Sequence, residues 1–163
     1  MKISSGKRIV KKILRKFGLT EQLDRNIKNI HIRKDVELIP IQPNLEFAVY
    51  WKVLLVGKGP AVILKAFGRE VMKFDVFGKD KGHYHVAPCH NLRIFFTEET
   101  VLQQIQRTSL ELQRNAQKYL EIQSDYRIKQ IRIDDDKLSD AIQKMVEIMT
   151  YFLQQIPEFK DLR

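Results

Sequence analysis

Three apolar runs, parted by residues that break regular structure, limit what this chain can fold into. Phe47-Ala48-Val49-Tyr50-Trp51-Lys52-Val53-Leu54-Leu55-Val56 is dense in aromatic and β-branched types. Gly57-Lys58-Gly59-Pro60 reads as a turn, and Ala61 to Phe67 is the second run. After a break at Gly68-Arg69-Glu70 comes the third, Val71-Met72-Lys73-Phe74-Asp75-Val76-Phe77. Parallel strands need crossovers of a dozen or more residues, which these connections lack, so the runs predict an antiparallel meander. Alternation in the third run puts Val71, Lys73, Asp75 and Phe77 on one face and Met72, Phe74 and Val76 on the other, with Asp75 at the lip of the sheet.

The strand pattern continues on both sides. Leu38 to Ile41, beside Pro40 and Pro43, reads as an edge strand or extended linker, and Leu92-Arg93-Ile94-Phe95-Phe96 as a further strand after a turn over Pro88–Asn91. One face of such a sheet must be covered. Two helices supply the cover. Thr97 with Glu98 and Glu99 opens the first, whose stripe is Val101, Leu102, Ile105, Leu112, Ala116 and Leu120, with Gln103, Gln104, Gln106 and Gln113 among its polar residues. Asp134-Asp135-Asp136 caps the second, carried by Leu138, Ala141, Ile142, Met145, Met149, Phe152 and Leu153 and stopped at Pro157. Between them Tyr126 to Ile133 alternates polar with apolar, which predicts one more strand.

Charge is distributed unevenly. Of the 29 basic residues, seven fall within residues 1–16, where there is no acid; the rest of the chain is close to neutral, with 22 basic and 20 acidic side chains. Ile9, Val10, Ile13, Leu14 and Phe17 recur at helical spacing, so residues 1–18 predict a basic amphipathic helix ahead of one domain over 19–163. Lys7, Arg8, Lys11, Lys12, Arg15 and Lys16 on its polar face suit a phosphate backbone, RNA in the first instance and DNA in the second. The same helix also suits an anionic membrane, a partner's groove, or the domain itself.

A single cysteine forms no internal disulfide, and no secretory leader or membrane span is read, so a cytoplasmic protein is expected. The 163 residues, 44% hydrophobic and 30% charged, are those of a globular domain.

Chemistry concentrates in residues 74–90. His83, His85, His90 and Cys89 fall here, beside the glycine-bounded loop Gly78-Lys79-Asp80-Lys81-Gly82. In an extended segment residues i and i+2 share a face, so His83 and His85 point the same way, roughly 6–7 Å apart at Cα, and Tyr84 points oppositely. Two imidazoles beside Lys79 and Lys81 suit general acid–base chemistry at a phosphodiester, with Asp75 or Tyr84 orienting or assisting. They suit metal binding as well, where the ligands would be His83, His85, Cys89 and His90; the cysteine spacing of a structural zinc site is missing, and no cofactor is expected. The plainest alternative is that these histidines fill a sheet edge.

Met72-Lys73-Phe74-Asp75, then Lys81-Gly82-His83-Tyr84-His85, then Phe95-Phe96-Thr97 leading into a long helix, resembles the TumE family of toxin components from prokaryotic toxin–antitoxin modules. There a strand ending in Tyr/Phe-Asp, a Lys-Gly loop and a His-x-His pair precede a strand and an amphipathic helix. The resemblance spans about residues 70–112 and leaves out the basic arm and the C-terminal part, residues 126–156. It implies that Asp75, Lys81, His83 and His85 form the functional set and that a helix-turn-helix antitoxin is a partner. The expectation is an α+β protein, an antiparallel sheet of four to six strands covered by two long helices with a basic N-terminal helix, acting on RNA as a metal-independent ribonuclease. The alternative is a non-catalytic nucleic-acid-binding or adaptor protein of a defence or mobile-element complex.

Overall fold

A computed structural model describes residues 31–87 and 92–163, the first four by backbone alone. The expected helix over 1–18, with Lys7, Arg8, Lys11, Lys12, Arg15 and Lys16, lies outside the described residues, as do Cys89 and His90.

The fold is α+β. Six strands, β1 (His31–Gln42), β2 (Leu45–Leu54), β3 (Gly57–Ala66), β4 (Arg69–Asp75), β5 (His83–Val86) and β6 (Ile94–Phe95), form one sheet in the order β1-β2-β3-β4-β5-β6, every neighbouring pair antiparallel. Two long helices follow, α1 (Val101–Glu121) and, after a single turn α2 (Tyr126–Lys129), α3 (Asp135–Gln155); a 3-10 turn over Pro157–Leu162 ends the chain. Among the described residues no helix is long and apolar enough to cross a membrane.

The main core lies between the helices and one sheet face. Phe47, Val49 and Trp51 of β2, Val62 and Leu64 of β3 and Met72 and Phe74 of β4 meet Ile105, Leu112, Leu120, Met145 and Met149. Phe74 stacks on Tyr84 at 5.1 Å between ring centroids, and Phe96 extends the stack. The opposite face carries a smaller buried cluster, Ala48, Tyr50, Ala61 and Ile63. Strand alternation thus sorts residues between an apolar, aromatic-rich helix side and a second side.

Three local expectations are corrected. The β2–β3 turn falls at Leu55 and Val56, and Gly57 to Pro60 belong to β3. These glycines serve a close approach: a Cβ on Gly59 would stand 2.0 Å from the Val76 carbonyl oxygen and one on Gly57 2.5 Å from the Phe77 ring. The first helix begins later than Thr97. Thr100 is its N-cap, accepting from the Gln103 N–H at 3.2 Å while Gln103 Oε1 accepts from the Thr100 N–H at 3.1 Å, a capping box.

Tyr126 to Ile133 is not a strand. Asp125 caps α2, and the extended residues beyond find glutamine side chains in place of a neighbouring strand. Gln117 accepts from the Ile133 N–H at 3.0 Å and donates to the Ile131 carbonyl at 3.2 Å. Gln42 accepts from the Asp134 N–H at 3.0 Å and donates to the Arg132 carbonyl at 2.9 Å. A primary amide carries the same donor and acceptor as a peptide group, so each glutamine mimics a ladder partner.

Candidate functional site

The register builds the site. Tyr50 pairs with Ala61, Ala61 with Asp75, Asp75 with His83 and His83 with Phe95, one row across five strands on the face away from the helices. His85 stands two residues beyond His83 on the same strand and so on the same face, opposite Lys73. Lys52 stands two residues beyond Tyr50. Its partner on β3 is Gly59, which has no side chain, and the next residue on that face, Ala61, has only a methyl, so the lysine stem crosses β3 and brings Nζ to 2.6 Å from Asp75 Oδ1.

The carboxylate is shared. Its other oxygen, Oδ2, lies 3.5 Å from His83 Nε2, and the far nitrogen of that ring, Nδ1, lies 2.8 Å from the Lys81 carbonyl oxygen. A carbonyl only accepts, so Nδ1 carries the proton and Nε2 is the nitrogen turned toward Asp75. The His83 and His85 rings meet edge to face, centroids 4.9 Å apart and planes at 78°. Phe77 and Phe95 wall His83 at 6.2 and 5.7 Å, and the Lys52 ammonium lies 5.2 Å over the Phe77 ring.

All four polar side chains are buried, Asp75 at 4% exposure and His85 at 7%. Asp75 is therefore not at an open lip, and the imidazoles do not stand in an open hollow. Rings in mutual contact also leave no space between them for a phosphate, which an acid and a base acting from its two sides would require. The arrangement is convergent: one donor atom from each of Asp75, His83 and His85 lies within 4.8 Å of the others.

The loop leading into β5 is held from behind. Gln104 is wholly buried; its Oε1 accepts from the Gly78 N–H at 3.0 Å and its Nε2 donates to the Glu98 carbonyl at 2.7 Å. A Cβ on Gly82 would lie 2.0 Å from Gln104 Oε1, so the amide is seated where only glycine fits. Gln104, expected on the polar outer face of its helix, is instead the peg that positions residues 78–82.

Tyr84 is on the other side of the sheet. Its ring lies among Phe74 and Phe96, and burial first, then the Glu111 charge, raise its phenol above the ordinary value. It does not touch the imidazoles' face. Lys79 and Lys81 stay exposed in the loop; Lys79 holds Glu99 at 2.8 Å, the bond and charge of that pair raising the ammonium and lowering the carboxyl. Lys52 was missed by sequence reasoning, although a lone lysine inside an apolar strand is a legible signal: buried ammonium groups need a partner.

The chain matches no family model, no curated protein and no solved structure.

Proposed function

We propose that the chain is a TumE-like toxin component of a toxin–antitoxin module that acts on RNA, with Asp75, His83 and His85 as its reactive centre and Lys52 beside them. One observation carries the reading: two imidazoles, a carboxylate and an ammonium converge on one sheet face, next to a loop that presents Lys79 and Lys81. Lysines able to meet phosphate, Lys81 and the Glu99-paired Lys79, beside a compact set of proton- or metal-handling groups are the combination that phosphodiester chemistry calls for. Lys79 and Lys81 hold the backbone in this reading, together with the basic residues of 1–16. The protein partner is a helix-turn-helix antitoxin.

The test is RNA cleavage by the purified full-length chain. His83→Ala and His85→Ala should each abolish cleavage while RNA binding persists; variants that cleave as fast as the parent overturn the reading. Burial of both imidazoles favours a second reading, a non-catalytic nucleic-acid-binding protein. It predicts that the parent binds RNA without cutting it, and that deleting residues 1–16 weakens binding and flattens its salt dependence, since each neutralised phosphate contributes to that slope.

A further inference from the structure

Two acceptors face each other at His83 and Asp75 unless something positive lies between them. With the proton fixed on Nδ1 by the Lys81 carbonyl, a neutral His83 presents the Nε2 lone pair to Asp75 Oδ2 at 3.5 Å. Either a second proton or a cation resolves that contact. We propose that Asp75 Oδ2, His83 Nε2 and a His85 ring nitrogen bind one first-row divalent metal ion, zinc by preference. The proposal deepens the reading above and rests on it for a role in RNA chemistry; the binding itself stands on the donor atoms.

Distances favour it. In a tetrahedral zinc site with bonds of about 2.0–2.2 Å, neighbouring ligand atoms stand roughly 3.3–3.6 Å apart. The Oδ2 to Nε2 separation of 3.5 Å is already such an edge, and one donor atom from each of Asp75, His83 and His85 lies within 4.8 Å of the other two.

Outer contacts favour it too. Metal-bound histidines commonly donate their other N–H to a backbone carbonyl, and metal-bound carboxylates are themselves held by a second group. His83 Nδ1 has the Lys81 carbonyl at 2.8 Å, and Asp75 Oδ1 has the Lys52 ammonium at 2.6 Å, which leaves Oδ2 for the metal. Two imidazoles and one carboxylate suit zinc or iron(II) rather than magnesium or calcium, which prefer oxygen. Three protein ligands leave a fourth position. With a dication and an ammonium against one carboxylate, the centre is net positive, so an anionic oxygen, such as that of a phosphodiester, is its natural occupant. Metal chemistry would thus replace the metal-independent ribonuclease expected from the sequence, with Asp75 in place of Cys89 and His90 in the ligand set.

The experiment uses the full-length wild-type chain, stripped of metal, with its imidazole nitrogens followed by NMR as Zn²⁺ is added. One equivalent should move the His83 and His85 resonances together, His83 keeping its Nδ1 proton, and Co²⁺ should give the visible absorption of a four-coordinate site. His85→Ala and Asp75→Asn, checked for native circular dichroism, should weaken Zn²⁺ binding by at least the roughly 10–100-fold that outer-sphere changes produce. Tyr84→Phe should leave it unchanged. If stoichiometric Zn²⁺ moves neither resonance, or moves only other histidines, the metal site is overturned. Cleavage of RNA by the zinc-free chain would also sink the metal's role while sparing the RNA reading; zinc binding without cleavage would do the reverse.

Discussion

Lys52 Nζ stands 2.6 Å from Asp75 Oδ1 across an intervening strand, with both side chains less than a tenth exposed. Removing one partner of a buried ion pair leaves the other charge uncompensated, a loss of about 3–5 kcal/mol. Lys52→Met and Asp75→Asn are each expected to fall in that range in urea denaturation. The double variant should lose clearly less than the two losses added together, because no lone charge remains. Strict additivity would show that the two groups do not stabilise one another.

Gly82 and Gln104 make a second coupled pair, this time steric. A methyl on Gly82 would meet the Gln104 amide at 2.0 Å, so Gly82→Ala is expected to cost about 1–3 kcal/mol as overpacking. Gln104→Ala leaves the buried Gly78 N–H unsatisfied, at about 1–3 kcal/mol, and also removes the partner of the part-buried Glu98 carbonyl. In a chain of this size one kcal/mol moves the melting temperature by roughly 2–4 °C, so both changes are readable by calorimetry. The cycle should be non-additive, since the alanine at 104 makes room for the methyl at 82; a Gly82→Ala variant that melts with the parent would refute the seating of the amide.

How much of this was legible depended on whether a residue's partner lay close in the sequence. The meander, the shared face of His83 and His85 and the two covering helices follow from periods of two and 3.6, which are local. Lys52 and Asp75 are joined only through the register of three strands, which no local pattern states. Gln104 reads as a surface glutamine because its partners, Gly78 and Gly82, are more than twenty residues away, and a glycine that admits a neighbour's side chain looks like a glycine that makes a turn. Tyr126 to Ile133 misled for a related reason: its alternation is real, but Gln42 and Gln117 supply the hydrogen bonds a strand would have supplied.

Acid should loosen the C-terminal part first. Arg127, chiefly through its side-chain hydrogen bonds, lowers the Asp125 carboxyl to about 2, and the Lys137 N–H followed by its ammonium lowers Asp134. A carboxyl depressed in the folded state adds stability above its unfolded value, near 3.8, and that share is lost as pH falls toward the folded value. Unfolding followed between pH 5 and pH 2 should therefore show a declining midpoint, with a shallower decline in Asp125→Asn. Both caps are at helix starts, α2 and α3, so the loss should appear as helical signal. An identical slope in the variant would remove Asp125 from the account.

The last prediction separates the two faces of the sheet. Glu111, buried in α1, accepts from the Tyr119 hydroxyl at 2.7 Å and from Asn115 at 2.9 Å. Burial first, and then Glu111, raise the Tyr119 phenol; the same two causes in the same order raise Tyr84. In an ultraviolet titration Tyr84 and Tyr119 should therefore ionise later than the ordinary value of 10.0. A raised phenol means that the folded state keeps protons the unfolded chain has released, so this contribution is complete below about pH 10 and fades as pH rises through the folded values. Glu111→Gln should bring both ionisations partway down, because the charge goes while the burial stays. It should leave the imidazole resonances of His83 and His85 in place, since Glu111 and Tyr84 lie on the helix side and the imidazoles on the other. If Glu111→Gln moved those resonances, the sheet would not insulate its two faces, and Tyr84 would regain a claim to the chemistry of Asp75, His83 and His85.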